Sequence, residues 1–165
     1  MDKAKPIGVD ASGFALLTEA VKNLLNQYPG IYEEIKFEEL EPESGVAFSA
    51  DNGALIMAER VSITDHVTRT CQYPFYIVFR SKGDLERQKL KAQTFLNEIG
   101  KFICKETIVA DGQEYRLNNY PSLTEGRTIT KVTRMNSYGL EPSEDKVQDW
   151  LLPCTVEYKH EFDKW

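Results

Sequence analysis

Three cysteines, Cys71, Cys104 and Cys154, and two histidines, His66 and His160, are the side chains best suited to nucleophilic or metal chemistry. A thiol becomes a nucleophile when a nearby base or positive charge stabilises its thiolate, so a Cys–His pair must lie within hydrogen-bond reach. Cys154 and His160 fall on one face of an alternating stretch six residues apart, roughly 20 Å at about 3.3 Å per residue. His66 and Cys71 differ by an odd number of positions, which puts them on opposite faces of a regular strand. Neither pair is placed to react. A metal centre needs three or four convergent ligands, and the cysteines form neither a CxxC pair nor an even set. Buried free thiols are the expected state of all three, packed as small apolar side chains, and His160 reads as a satisfied sheet residue.

The glycines fall singly or in turns, with neither GxGxxG nor GxxxxGK[ST], so no backbone cradle for phosphate is expected. Carboxylates crowd at Glu33-Glu34, Glu38-Glu39, Glu41 and Glu43, in charged sequence where a solvated face is the ordinary explanation. No catalytic, cofactor-binding or metal-binding residue is expected, and the chain does not read as an enzyme.

The elements that would position these residues follow from hydrophobic spacing. Phe14, Leu17, Val21, Leu24, Leu25 and Tyr28 recur at three- and four-residue steps and predict a helix over about 13–28, with Ser12 as N-cap and Pro29-Gly30 as its stop. Ile35 and Phe37 alternate with charged neighbours in the acidic 33–43 segment, as an edge strand or extended linker would. Val46 to Ala50 and Ala54 to Val61 are separated by Asp51-Asn52-Gly53, a turn signal that predicts a hairpin. A third strand over about 68–80 carries Cys71, Tyr73, Phe75, Ile77 and Phe79 on one face. Tyr76 and Val78 make its other face partly apolar, so the strand is expected to be central. Pro74 within it should mark a bulge or a place where the neighbouring strand has ended.

Asp84 suits the N-cap of a second helix, whose apolar stripe is Ala92, Phe95, Leu96, Ile99, Phe102 and Ile103, with Glu86, Arg87, Lys89 and Lys91 on the wet side. Asp111-Gly112 is a turn before a short strand at Gln113 to Leu117, and 118–126 reads as loop. A strand over about 128–138 and one over Trp150 to Phe162 close the chain, the latter alternating across thirteen positions with one face buried. Between them, Gly139 to Asp149 is acidic and longer than a tight hairpin needs.

The order is helix, three-strand meander, helix, then two long strands, without the βαβ alternation a parallel sheet requires. The fold class is therefore α+β: an antiparallel or mixed sheet with two helices packed on one face, in a single domain over residues 1–165 with its core at about 13–162. A chain of 165 residues can bury roughly two-thirds of its unfolded surface. A formal charge of −6, from 20 basic and 26 acidic residues, disfavours direct binding to nucleic acid, which scales with the phosphates that Lys and Arg neutralise. The run Tyr73 to Phe79 is far short of the roughly 20 residues that span a bilayer, and the polar start Met1 to Pro6 lacks a signal peptide's apolar stretch. The expectation is a cytosolic protein.

One resemblance is carried by the second half. An aromatic-rich strand, Tyr73-Pro74-Phe75-Tyr76-Ile77-Val78-Phe79-Arg80-Ser81, runs into the amphipathic helix at 84–104. A strand over 129–138, a polar acidic loop and the closing Asp149-Trp150-Leu151-Leu152-Pro153-Cys154-Thr155-Val156-Glu157-Tyr158 strand follow. In element order and texture this resembles the tail terminator, or tail-completion, proteins of long-tailed bacteriophages and prophages, often labelled minor capsid proteins, over roughly residues 13–162. The resemblance implies a structural protein without cofactor, forming a homo-oligomeric ring, a hexamer in the assembled tail. Such a ring caps the tail tube and meets the tail tube protein and the head-tail connector protein, in the host cytoplasm during assembly and then in the virion tail. Ring contacts would be heterologous. The excursion over 137–148 and the Asp51-Asn52-Gly53 turn are the candidate contacts, with Asp51, Asn52, Tyr138, Glu141, Glu144 and Asp145 as candidate interface residues. The alternative is an acidic binding module, an inhibitor or immunity protein for a basic partner.

Overall fold

A computed structural model describes residues 5–30, 34–83 and 85–164. Its elements run β1 (Gly8–Val9), α1 (Ala11–Asn26), β2 (Lys36–Phe37), β3 (Gly45–Ala50), β4 (Leu55–Val61), β5 (His66–Lys82), α2 (Leu85–Ile103), β6 (Ile108–Ala110), β7 (Gln113–Tyr115), β8 (Arg127–Arg134), β9 (Tyr138–Gly139) and β10 (Val147–Asp163). The fold is α+β, with two helices on a mostly antiparallel sheet.

The centre of the sheet is the pair β5 and β10, two 17-residue strands in unbroken antiparallel register from Lys82 opposite Val147 to His66 opposite Asp163. Alternation decides which side of each strand is buried. Cys71, Tyr73, Phe75, Ile77 and Phe79 of β5 meet Trp150, Leu152, Cys154, Val156 and Tyr158 of β10 on the inner face, all buried. Both helices cover that face. Leu17, Ala20, Val21, Leu24 and Leu25 form the buried stripe of α1, and Ala92, Leu96, Ile99, Phe102 and Ile103 that of α2. Aromatic contacts tie the layers together: Phe14 sits 6.0 Å from Tyr73, Phe79 5.5 Å from Phe95, and Tyr28 5.7 Å from Phe95.

Each long strand is flanked by two short ones on its outer edge. β3 and β4 both pair antiparallel with β5, at Phe75 to Arg80 and Val67 to Gln72 respectively. The expected hairpin between them does not form. Asn52 and Gly53 do adopt positive φ, 66° and 73°, but they jog the chain instead of reversing it. The free edge of a 17-residue strand is longer than β3, and continuing along it lets both segments use its N–H and C=O groups. Pro74 lies opposite this jog, and its carbonyl accepts from Asp51 N–H at 2.9 Å. A residue's N–H and C=O point to the same side of a strand, so the donor that proline lacks faces the interruption between β3 and β4.

The other edge repeats the device. β8 and β9 both pair with β10, replacing the single expected strand over 128–138. Met135 N–H donates to the carbonyl of Pro153 at 2.9 Å, but Pro153 has no N–H to return, and the ladder stops there until Tyr138. The excursion is correspondingly shorter than expected, because Tyr138, Gly139, Val147 and Gln148 all lie in strands and only 140–146 turn. Of the acidic segment, Lys36–Phe37 pairs parallel with β3, making the sheet mixed. Ile35 is fully buried and pinned by Asn26, whose side-chain amide accepts from Ile35 N–H at 2.8 Å and donates to Ile35 C=O at 2.9 Å. Asp111 and Gly112 turn β6 into β7 as a separate two-stranded ribbon.

The first helix starts earlier than expected and its cap is Asp10, not Ser12. The Asp10 carboxylate accepts from Gly13 N–H at 3.1 Å, the ordinary N-cap bond, while the Ser12 hydroxyl accepts from Arg127 at 2.9 Å. The expected Asp84 cap lies outside the described residues. No helix among the described residues is long and apolar enough to cross a membrane.

Candidate functional site

The thiols and imidazoles do not converge. Cys154 is buried on the inner face of β10, with His160 three alternations along the same face. His66 points to the opposite face from Cys71 and bonds Asp163 through Nδ1 at 2.9 Å. Burial and the Asp10 charge push the Cys71 thiol up to about 11, and burial likewise raises Cys104 and Cys154, which disfavours the thiolate. His160 departs from the expectation of a satisfied residue: its Nδ1 is buried without a hydrogen-bond partner, and burial followed by the nearby Arg127 charge lowers its basicity. Its ring packs 4.9 Å from Phe162. Among the described residues no three His, Cys, Asp or Glu side chains are grouped as metal ligands.

The strongest polar cluster is one that spacing in sequence gave no hint of. Arg127, 1% exposed, donates to both oxygens of Asp10, 4% exposed, at 2.7 and 3.0 Å. Tyr158 OH donates to the same carboxylate at 2.7 Å. Burial alone would raise the Asp10 carboxyl, but the Arg127 and Tyr158 hydrogen bonds outweigh it and hold the group at about 2. Burial and its bond to Asp10 raise the Tyr158 phenol. The cluster ties the start of α1 to β8 and β10. Every Asp10 oxygen is satisfied by the protein itself, which is the condition of a structural clamp.

The opposite face of the sheet is different, because among the described residues no helix covers it. Register places its side chains in rows across four strands. One row is Met135, Pro153, Tyr76 and Ser49; the next is Tyr138, Leu151, Val78 and Ala47; a third holds Leu140, Asp149, Arg80 and Gly45. At strand spacings of about 4.8 Å and two-residue steps of about 6.7 Å, the two apolar rows span roughly 15 Å by 7 Å. Met135 is 70% exposed, and Tyr138 and Leu140 are each 45% exposed. Single exposed apolar residues are ordinary, whereas a contiguous set on a flat sheet face is what recognition surfaces present.

Carboxylates border this face. Asp51 accepts from Tyr76 OH at 3.1 Å, Glu38 accepts from Ser49 Oγ at 3.2 Å, and Asp149 holds Arg80 through two bonds of 2.7 and 3.0 Å. The segment bearing Glu38 and Leu40 reaches round the β3 edge, walling a 370 Å³ crevice against Ala47 and Val78. Of the candidate interface residues, Tyr138 and, through its bond to Tyr76 OH, Asp51 therefore come to one face. Asn52 is exposed at the jog, and Glu141, Glu144 and Asp145 are exposed on the 140–146 turn at its end. The residues missed are Met135, Leu140, Leu151 and Pro153. The apolar character of Tyr76 and Val78 was the signal that could have led to them, once β10 was laid alongside β5.

On the helical side, a groove of about 1040 Å³ runs between α2 and the end of β3, with Phe79, Phe95 and Leu90 among its walls. Ser81 Oγ is buried in its lining without a partner. No protein-family model matches the chain, and no curated protein matches its sequence.

Proposed function

We propose that the chain is a structural assembly protein of a phage or prophage tail, of the tail-terminator kind, whose work is to hold neighbouring protein surfaces together. The observation that carries this reading is the uncovered sheet face, an apolar centre of Met135, Tyr138, Leu151 and Val78 bordered by carboxylates. Interfaces are built in this way, with an apolar core and a polar rim. The α+β layout, two helices on one side of the sheet, agrees with the fold that the sequence resemblance implies. In this reading subunits close into a ring that caps the tail tube and meets the head-tail connector.

The acidic border also favours a second reading, an inhibitor or immunity-type module for a basic partner, because charge complementarity selects partners and speeds encounter. One experiment separates the two. Purified protein is added to tail tubes lacking their terminator and imaged by negative stain, alongside light scattering of the protein alone over a concentration series. Ring-shaped caps on tube ends support the assembly reading. A strict monomer that leaves tubes bare refutes it and leaves the binding-module reading.

A further inference from the structure

Two surfaces of this chain complement each other. The uncovered sheet face is apolar at its centre, with Glu38 and Asp51 at its border bonded only to the neutral hydroxyls of Ser49 and Tyr76, Asp149 paired with Arg80, and the exposed Glu141, Glu144 and Asp145 at its end. On the other side of the molecule, the exposed face of α2 carries Leu90, 69% exposed, between Lys89 and Lys91, with Arg87 one helical turn back. Among the described residues, Leu90 is the one exposed large apolar side chain with a cation at both neighbouring positions. Leu90 and Lys91 also wall the 1040 Å³ groove, which gives this face a concavity for protruding side chains such as Met135.

We propose that the acidic-bordered sheet face of one copy receives the basic Leu90 face of α2 of a second copy. The inference rests on the assembly reading and names the surfaces by which it is carried out. Apolar centre meets apolar centre, and carboxylate border meets Arg87, Lys89 and Lys91. Because α2 packs on the inner face of the sheet and the apolar patch is on the outer face, the two surfaces lie on opposite sides of one subunit. A contact between them cannot be self-reciprocal. It is heterologous, so every subunit keeps one free surface of each kind until the chain of contacts closes on itself. The apolar rows, roughly 100 Å² from their strand spacings, are the centre of such an interface, and the flanking polar and charged surface supplies the remainder of the roughly 800 Å² per partner that stable association needs.

The test uses two full-length variants, Tyr138→Glu on the sheet face and Leu90→Glu on α2. Both sites are exposed, so thermal melts followed by circular dichroism should match wild type. Loss of a central anchor weakens association by at least about thirtyfold, so by light scattering each variant alone should be monomeric where wild type forms larger particles. An equimolar mixture should give dimers and nothing larger, since each variant retains one working surface. Variants that assemble like wild type, or a mixture that stays monomeric while each variant alone is disrupted, overturn the pairing of these two faces but leave ring assembly standing. Wild type that neither self-associates nor caps tail tubes overturns both.

Discussion

Replacing Asp10 with Asn isolates the charge of the buried clamp, because Asn keeps an oxygen able to cap α1 while removing the carboxylate that faces Arg127. The Arg127 side chain is 1% exposed and makes three of its bonds to Asp10 and Ser12. Breaking one partner of a buried ion pair costs about 3–5 kcal/mol, since the remaining charge is left uncompensated. Glu125, at 3.0 Å from Arg127 and 63% exposed on its side chain, offers partial compensation, which places the expectation near the lower end. With a urea m-value of about 2 kcal/mol/M, a loss of about 3 kcal/mol moves the unfolding midpoint down by about 1.5 M. Trp150, 2% exposed, is a fluorescent probe for that transition.

The pH dependence gives a second check with a definite sign. Asp10 is held at about 2 in the fold against an ordinary 3.8, so its ionised form is favoured by folding. Its contribution is complete above about pH 5, declines as pH falls through 4, and is gone below about pH 2, amounting to roughly 2 kcal/mol. The stability gap between wild type and Asp10→Asn should narrow by that amount over the same range. A cost below about 1 kcal/mol for Asp10→Asn, or additivity within about 0.5 kcal/mol when it is combined with Arg127→Met, refutes the clamp as described.

Gly126 has φ +74°, and a Cβ there would lie 2.1 Å from the Glu161 carbonyl oxygen; Gly126→Ala should therefore cost more than the roughly 1 kcal/mol of a strained φ alone, read from the same urea transition. The thiols should be slow toward a disulfide reagent such as DTNB at pH 8 in the native state and all fast in denaturant, since burial raises Cys71, Cys104 and Cys154; a native thiol reacting at the denatured rate contradicts that placement.

Much of the architecture was legible because periodicity reports burial directly. The alternation of Trp150 to Phe162 and the stripe of Ala92 to Ile103 each needed one partner surface, and they found it in each other. The errors fell where a local signal competes with a long-range one. Asp51-Asn52-Gly53 carries turn chemistry and does take positive φ, but whether a turn reverses the chain depends on which edge is available, and β5 offered one. Ser12 looked like a cap because the hydroxyl suits the role, and only the approach of Arg127, 115 positions away, reassigns it. Pro74 was read as marking either a bulge or a place where a neighbour ends, and it is the second that the jog between β3 and β4 supplies; Pro153 obeys the same logic at Met135. The candidate surface was legible in part: Tyr138 and Asp51 were singled out from loops, while Leu151 and Met135 acquire meaning only from register.

The pairing of β5 with β10 also governs the order in which this chain can become a protein. Arg80 and Asp149 are 69 positions apart and His66 and Asp163 are 97 apart, so no contact in the central ladder is local. Closure of such loops precedes any reward from burial, and folding dominated by distant pairings runs on the millisecond-to-second scale. During synthesis at about 5–20 residues per second, Tyr73, Phe75 and Ile77 must wait several seconds for the strand that covers their edge. The inner face of β5 is thus the surface most in need of shelter on the ribosome, and the helices α1 and α2, both emerging before β10, are the elements available to provide it.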